Sequence, residues 1–168
     1  MAAMTGEVRN AKRVEFMKLA IQTAFEGMNG GHGGPFGAVI VKDGHVVSTG
    51  HNEVLSSSDP TAHAEILAVR RASAKLENFD LSGCEIYVNG VPCPMCMGAI
   101  FWSRVSKLYY ACLPQDAEAI GFDDGAFYRE LEKPLGQRSL PAEQVSECVE
   151  DARACYQAWL ERDERTPY

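Results

Sequence analysis

Residues 62–76, AHAEILAVRRASAKL, then 85–88, EIYV, then 92–102, PCPMCMGAIFW, decide how this chain folds. The first stretch has good helix formers and an apolar face at Ile66, Leu67, Val69 and Ala72, which predicts a helix over 62–76. Ahead of it Ser57, Ser58, Asp59, Pro60 and Thr61 are the residue types that end a loop and open a helix. The second stretch is short, β-branched and aromatic, and reads as a strand. The third has Pro92 at its threshold and reads as a helix from Cys93 to Trp102, so Cys93 and Cys96 fall in its first turn. Asn89-Gly90 between them is a turn signal.

Working outward, Val14, Met17, Ile21, Ala24, Phe25 and Met28 recur at steps of three and four and predict an amphipathic helix that stops at Gly30. Pro35 to Val41 reads as a strand, Asp43-Gly44 as a tight turn and His45 to Gly50 as the return strand of a hairpin. Val105 to Cys112 is another strand, Ala117 to Gly121 allows a short helix, and Gln144 to Val149 fits either state. Ala152, Tyr156, Trp159 and Leu160 give a closing helix with a charged outer face. Helices alternating with short strands, without a repeat or a linker, predict one domain over 1–168: a layered α/β sandwich round a mixed sheet.

The composition fits a compact fold. Of 168 residues 46% are hydrophobic and 23% charged, which excludes a disordered, collagen-like or low-complexity chain. Sixteen Lys and Arg against 23 Asp and Glu leave a net charge of −7, so nothing draws the whole molecule to phosphate or to an anionic membrane, and no nucleic-acid partner is expected. No apolar run is long enough to span a bilayer, and Met1 to Arg13 lacks the apolar segment of a secretory signal, so a cytoplasmic location is expected. In that reducing setting the six cysteines are read for chemistry and not as bridges. Cys84, Cys112, Cys148 and Cys155 lie singly in apolar surroundings and are expected to be small core residues.

Cys93 and Cys96 differ. A Cys-x-x-Cys pair on the first turn of a helix directs two sulfurs to one point, where the helix N-terminus favours thiolates. His63, at the start of the preceding helix, can complete a set of three ligands that suits tetrahedral zinc with one position left for water. Glu65 lies two residues from His63, close enough to reach that water without being a ligand. Zinc lowers the pKa of a water it binds towards about 7, and a neighbouring carboxylate can take the proton and hand it to a leaving group. The rivals are a redox Cys-x-x-Cys, which Pro94-Met95 does not resemble, and a closed structural zinc site, which needs a fourth ligand. Cys84 is the nearest spare thiol for that purpose.

The H-x-E and P-C-x-x-C combination is the signature of zinc nucleobase deaminases, and the chain resembles the cytidine deaminase-like superfamily, within it the small bacterial guanine deaminases. The likeness rests on Gly33-Gly34-Pro35-Phe36-Gly37-Ala38-Val39, on Asn52, on Asp59-Pro60-Thr61-Ala62-His63-Ala64-Glu65, on Pro92 to Ile100, and on Ala119-Ile120-Gly121-Phe122-Asp123-Asp124. It implies a three-layer α/β/α sandwich with a five-stranded mixed sheet, and a homodimer. It also implies zinc on His63, Cys93 and Cys96 and proton transfer by Glu65. The base would be held by Asn52 and the backbone N–H of Ala64, stacked on by Phe36, and read at its edge by Asp124 within the Asp123-Asp124 pair.

Without the likeness, Phe36 reads equally as a core aromatic, Asp123 and Asp124 as loop carboxylates and Asn52 as a turn former. The implied reaction is hydrolytic deamination of guanine to xanthine and ammonia. Guanosine, cytosine, another aminated heterocycle, or adenosine in tRNA are the alternatives. One departure stands out: the family places Glu immediately before the Pro-Cys, where this chain has Val91, which removes a carboxylate from the pocket wall. The chain finishes Thr166-Pro167-Tyr168; guanine deaminases of this type also end in Tyr, so Tyr168 is expected to close over a pocket, its own or a neighbouring subunit's.

Overall fold

The computed structural model describes residues 6–168; the first five residues of the Met1–Arg13 stretch lie outside it. The described chain falls into two compact units, one ending at Tyr128 and one over Arg129–Tyr168.

The first unit is built on a four-stranded mixed sheet in the order β2-β1-β3-β4. Strands β1 (Gly37–Lys42) and β2 (His45–His51) form the expected antiparallel hairpin, with an irregularity in register between Ile40 and Val41. Strand β3 (Cys84–Gly90) pairs antiparallel with β1 and parallel with β4 (Lys107–Cys112). Strand β1 is buried at five successive positions because helices cover both its faces, so its sequence GAVIVK does not alternate.

Alternate residues serve opposite faces. Val39, Val41 and Tyr87 pack with Phe16 and Ala20 of α1 (Gly6–Asn29). Ala38, Ile40, Ile86 and Val88 pack with Ala64, Ala68 and Ala72 of α3 (Ala64–Leu76) and Ile100 of α4 (Pro94–Trp102). Small side chains let α3 lie close to the sheet. A Cβ on Gly50 of β2 would sit 2.3 Å from the Ala64 carbonyl oxygen and 2.8 Å from the Ala68 nitrogen, both main-chain atoms of α3. The Ser48 hydroxyl, donating to the Ala68 carbonyl at 2.7 Å, fixes the same contact.

Several expectations need correction. The sheet has four strands among the described residues, not five: beyond β4, Pro114 opens the short helix α5 (Pro114–Glu118), and the remaining elements are helical. Those are α6 (Asp124–Glu132), 3₁₀ turns at Leu135–Gln137 and Ser146–Cys148, and α7 (Val149–Leu160); α2 (Val54–Ser57) was also not expected. Asn89-Gly90 does not turn the chain but ends β3, because the Asn89 side chain bridges to β1's approach. Its Nδ2 donates to the Pro35 carbonyl at 2.8 Å and its Oδ1 accepts the Gly37 N–H at 2.9 Å.

Cys84 is buried as expected, whereas Cys112, Cys148 and Cys155 are exposed. Cys112 ends β4, the edge strand, and the other two belong to the segment around α7, none of whose residues is buried. No helix among the described residues is long and apolar enough to cross a membrane.

Candidate active site

Two helix starts meet where β3 ends. His63 is the N-cap of α3 and Cys93 the N-cap of α4, both in extended backbone conformation (φ −72°, ψ 155° and φ −66°, ψ 168°). Pro94 follows Cys93 at the first helical position, where its missing N–H costs nothing, and Cys96 lies in the same turn. The His63 Nδ1 is 3.6 Å from the Cys93 Sγ and 3.5 Å from the Cys96 Sγ, and the three ligand atoms lie within 4.8 Å of one another.

These spacings fit a metal. Two bonds of about 2.3 Å (Zn–S) and about 2.05 Å (Zn–N) at the tetrahedral angle put sulfur and nitrogen about 3.6 Å apart. The sulfurs are also prepared for it: a hydrogen bond from the Cys96 thiol, with a further one to His63, holds Cys93 down at about 4. The same bond from the other side, reinforced by burial, pushes Cys96 well up. Metal binding requires deprotonated sulfurs, so a divalent cation displaces thiol protons when it binds. His63 is raised, chiefly by its hydrogen bond with Cys93. Among the described residues this is the one group of three metal-binding side chains so placed. Cys84 is not part of it: it opens β3 while Cys93 follows the far end, and that length of strand spans about 20 Å.

Glu65 is buried in the first turn of α3, and burial pushes its carboxyl up. It lines a cavity of about 240 Å³ together with His63, Cys93, Phe36, Asn52 and Asp124, so six residues singled out in the sequence share one wall. A chain segment from 10 to 112 matches the model of the cytidine and deoxycytidylate deaminase zinc-binding region. The chain belongs to this zinc-binding deaminase family. Guanine deaminase from Bacillus subtilis is 46% identical to it over 144 residues, which is 86% of this chain and 91% of that one. The X-ray structure of that guanine deaminase superposes with a TM-score of 0.88 at 42% identity, covering 98% of this chain and 99% of the other. The tRNA-specific adenosine deaminase of Aquifex aeolicus is 43% identical over 98 residues, 58% of this chain and 64% of its own.

In this deaminase-family chain the remaining expected residues fall as follows. Asn52 is buried, and its Oδ1 accepts the N–H groups of Gly34 (3.3 Å) and Val54 (3.2 Å), which leaves its NH₂ end for the cavity. Residue 33 has to be glycine for this, because a Cβ there would lie 2.0 Å from the Asn52 Oδ1. Ala64 is fully buried and outside the cavity lining; as the first residue of α3 its N–H has no acceptor within the helix. Asp124 opens α6 half-buried, and burial, then the nearby Cys93, push its carboxyl up. Asp123 lies outside the lining; its Oδ1 accepts the Ala126 N–H at 3.1 Å, a cap bond for α6. Tyr168 belongs to the second unit and is exposed.

Val91 lines the cavity, so the wall is apolar where the family likeness puts a carboxylate; its N–H is tied to the Cys112 carbonyl at 3.1 Å. Sequence reasoning missed Phe122, whose ring meets Phe36 edge to face with centroids 4.9 Å apart at 89°. The Gly121-Phe122 pair stood in a quoted motif, but only its aspartates drew notice. It also missed Tyr128, which donates to the Pro92 carbonyl at 3.0 Å and so braces the residue before Cys93. Val54, Leu55 and Pro60 complete the apolar rim, unsignalled by residue type.

Proposed function

We propose that this chain is a zinc-dependent aminohydrolase that converts guanine and water to xanthine and ammonia. The observation that carries this reading is one cavity holding His63, Cys93, a buried Glu65 and a half-buried Asp124, in a chain alike along nearly its whole length to a guanine deaminase.

When bound by His63, Cys93 and Cys96, zinc activates water as a nucleophile near neutral pH. The protein residues do the rest. Glu65 takes a proton from the attacking water and delivers one to the departing amine; it is otherwise buried but lines the cavity where both would sit. Phe36, held edge to face by Phe122, offers a flat apolar face for the base. Asn52 offers its NH₂ to an acceptor on the base, and the N–H of Ala64 a second donor. Asp124 accepts from the donor edge of guanine, and Asp123 steadies it by capping α6. A carboxylate facing two adjacent donors discriminates strongly against bases that lack them, because a buried acceptor is then left unpaired.

Ammonia release from guanine, guanosine, cytosine, adenine and a triazine amine, assayed at known zinc content, tests this. Guanine is expected to be turned over fastest, with activity abolished by a chelator and restored by zinc; faster turnover of another amine overturns the substrate assignment. The reading treats 1–168 as one deaminase domain, acting as a cytoplasmic homodimer in purine metabolism without a nucleic-acid partner. A monomer in sedimentation, or salt-dependent tRNA binding, would contradict it. It also gives Tyr168 a part in substrate binding. Deleting Pro167 and Tyr168 is therefore expected to lower guanine turnover, and unchanged turnover removes Tyr168 from the site.

A further inference from the structure

The carboxyl of Asp124 is not itself held. Among the described residues no hydrogen bond reaches it, and what acts on it is burial and the charges of Cys93, His63 and Asp123. Its place in the cavity is therefore set by its backbone, at the first residue of α6. That helix has no buried residue, so core packing does not fix its position either. Specific contacts have to do so, and two of them stand on either side of Asp124.

The first precedes it. Gly121 takes a left-handed φ of 95° in the turn that follows α5. There the Phe122 N–H donates to the Ala117 carbonyl at 3.0 Å and the Gly121 N–H to the Glu118 carbonyl at 2.9 Å, the pattern of a glycine-ended helix. This turn delivers the Phe122 ring to Phe36. A Cβ on Gly34 would lie 2.9 Å from the Phe122 Cζ and 3.0 Å from the Phe36 Cε2, so residue 34 leaves room for the two rings to meet.

The second contact follows Asp124 by one helical turn. Tyr128 lies four residues further along α6, on the same face, and its hydroxyl donates to the Pro92 carbonyl at 3.0 Å. One end of this bond is fixed independently. Pro92 is fully buried, the Val91 N–H before it is held by the Cys112 carbonyl at 3.1 Å, and the Cys93 carbonyl after it accepts the Met97 N–H of α4 at 2.9 Å. Tyr128, by contrast, is 36% exposed on a helix with nothing buried. The bond therefore sets α6 against the ligand segment, and not the reverse.

We propose that Tyr128 is a positioning residue for the base: its hydroxyl, fastened to the Pro92 carbonyl, fixes Asp124 relative to the metal-binding group. The ring contact at Phe122 by itself leaves α6 free to swing, and the second point of attachment removes that freedom. Base reading needs it, because a displacement of about 1 Å is enough to spoil a reacting geometry. The proposal rests on the guanine reading through the role given to Asp124.

Tyr128→Phe removes one oxygen from a partly exposed ring and leaves the rest of the side chain in place. In zinc-loaded protein it is expected to lower kcat/KM for guanine about 10-fold, mostly through KM, with zinc content unchanged. Asp124→Asn supplies the control, since a hydroxyl that acts through Asp124 has nothing left to position once the carboxylate is gone. Adding Tyr128→Phe to Asp124→Asn is expected to cost less than about threefold. A wild-type KM in Tyr128→Phe overturns the proposal. So does an equal loss in both backgrounds, which places the effect elsewhere than Asp124, and so does a loss of zinc, which makes the hydroxyl a support of Cys93.

A second measurement needs no turnover. The backbone amides of α6 are expected to exchange with deuterium faster in Tyr128→Phe than in wild type, while those of β1 and β3 exchange alike in both. Equal exchange in α6 overturns the proposal. Absence of guanine turnover in zinc-loaded wild type overturns the substrate reading instead, and exchange in α6 then decides whether the hydroxyl holds Asp124 in place.

Discussion

Replacing Glu65 with Gln is expected to lower guanine turnover by about 1000-fold or more while zinc stays bound at one ion per chain. Gln keeps the size of the side chain and can still accept a hydrogen bond, but it cannot take up a proton and pass it on. Glu65 is buried against the start of α4, with the Cys96 thiol as its neighbour, and it is the carboxylate that lines the cavity next to His63 and Cys93. The ligand set of His63, Cys93 and Cys96 is untouched by the change, so metal analysis separates loss of chemistry from loss of the ion. Ammonia release and zinc content measured on the same sample check this. Near-normal turnover with full zinc would end the proton-transfer role.

Asp124→Asn is expected to reduce kcat/KM for guanine by about 100-fold or more, with zinc retained and little loss of stability. The amide presents an NH₂ group where the base presents its own donors, so an attraction becomes a clash of like dipoles and one donor is left without an acceptor. Its position at the first residue of α6, with Asp123 capping the same helix, gives Asn no reason to unfold the segment. Steady-state kinetics with guanine check it. A change under about threefold would remove Asp124 from base reading, because that is smaller than the cost of leaving a buried polar group unpaired.

The metal centre was legible because each of its parts is announced locally. Asp59-Pro60-Thr61 and Pro92 mark helix starts, and the ligands His63 and Cys93 turn out to be the N-caps themselves. The β1–β2 hairpin was legible for a similar reason, since Asp43-Gly44 takes two positive φ angles, 50° and 75°. Asn89-Gly90 has the same appearance and misled, because the bonds that hold it in β3 run to Pro35 and Gly37, more than fifty residues away.

Distance in sequence explains the other misses too. Phe122 acquires meaning only against Phe36, and Tyr128 only against Pro92. The exposure of Cys112 follows from β4 being the last strand of the sheet, a fact of topology that a run such as LYYAC does not carry. The expected fifth strand came from family likeness and not from the residues beyond β4, where Pro114 begins a helix.

The metal-binding group and Glu65 sit at two helix starts, 63–65 and 93–96, whereas most of the surface that would touch the base comes from Phe36, Asn52, Val91 and the 122–124 turn. The two tasks are carried largely by separate stretches, so mutation can remodel what is recognised without disturbing how the bond is broken. Val91 stands on the recognition side of the cavity, beside the grouped His63, Cys93 and Cys96. Exchanging a residue such as Val91 would therefore reshape the pocket while leaving the three metal-binding side chains in place.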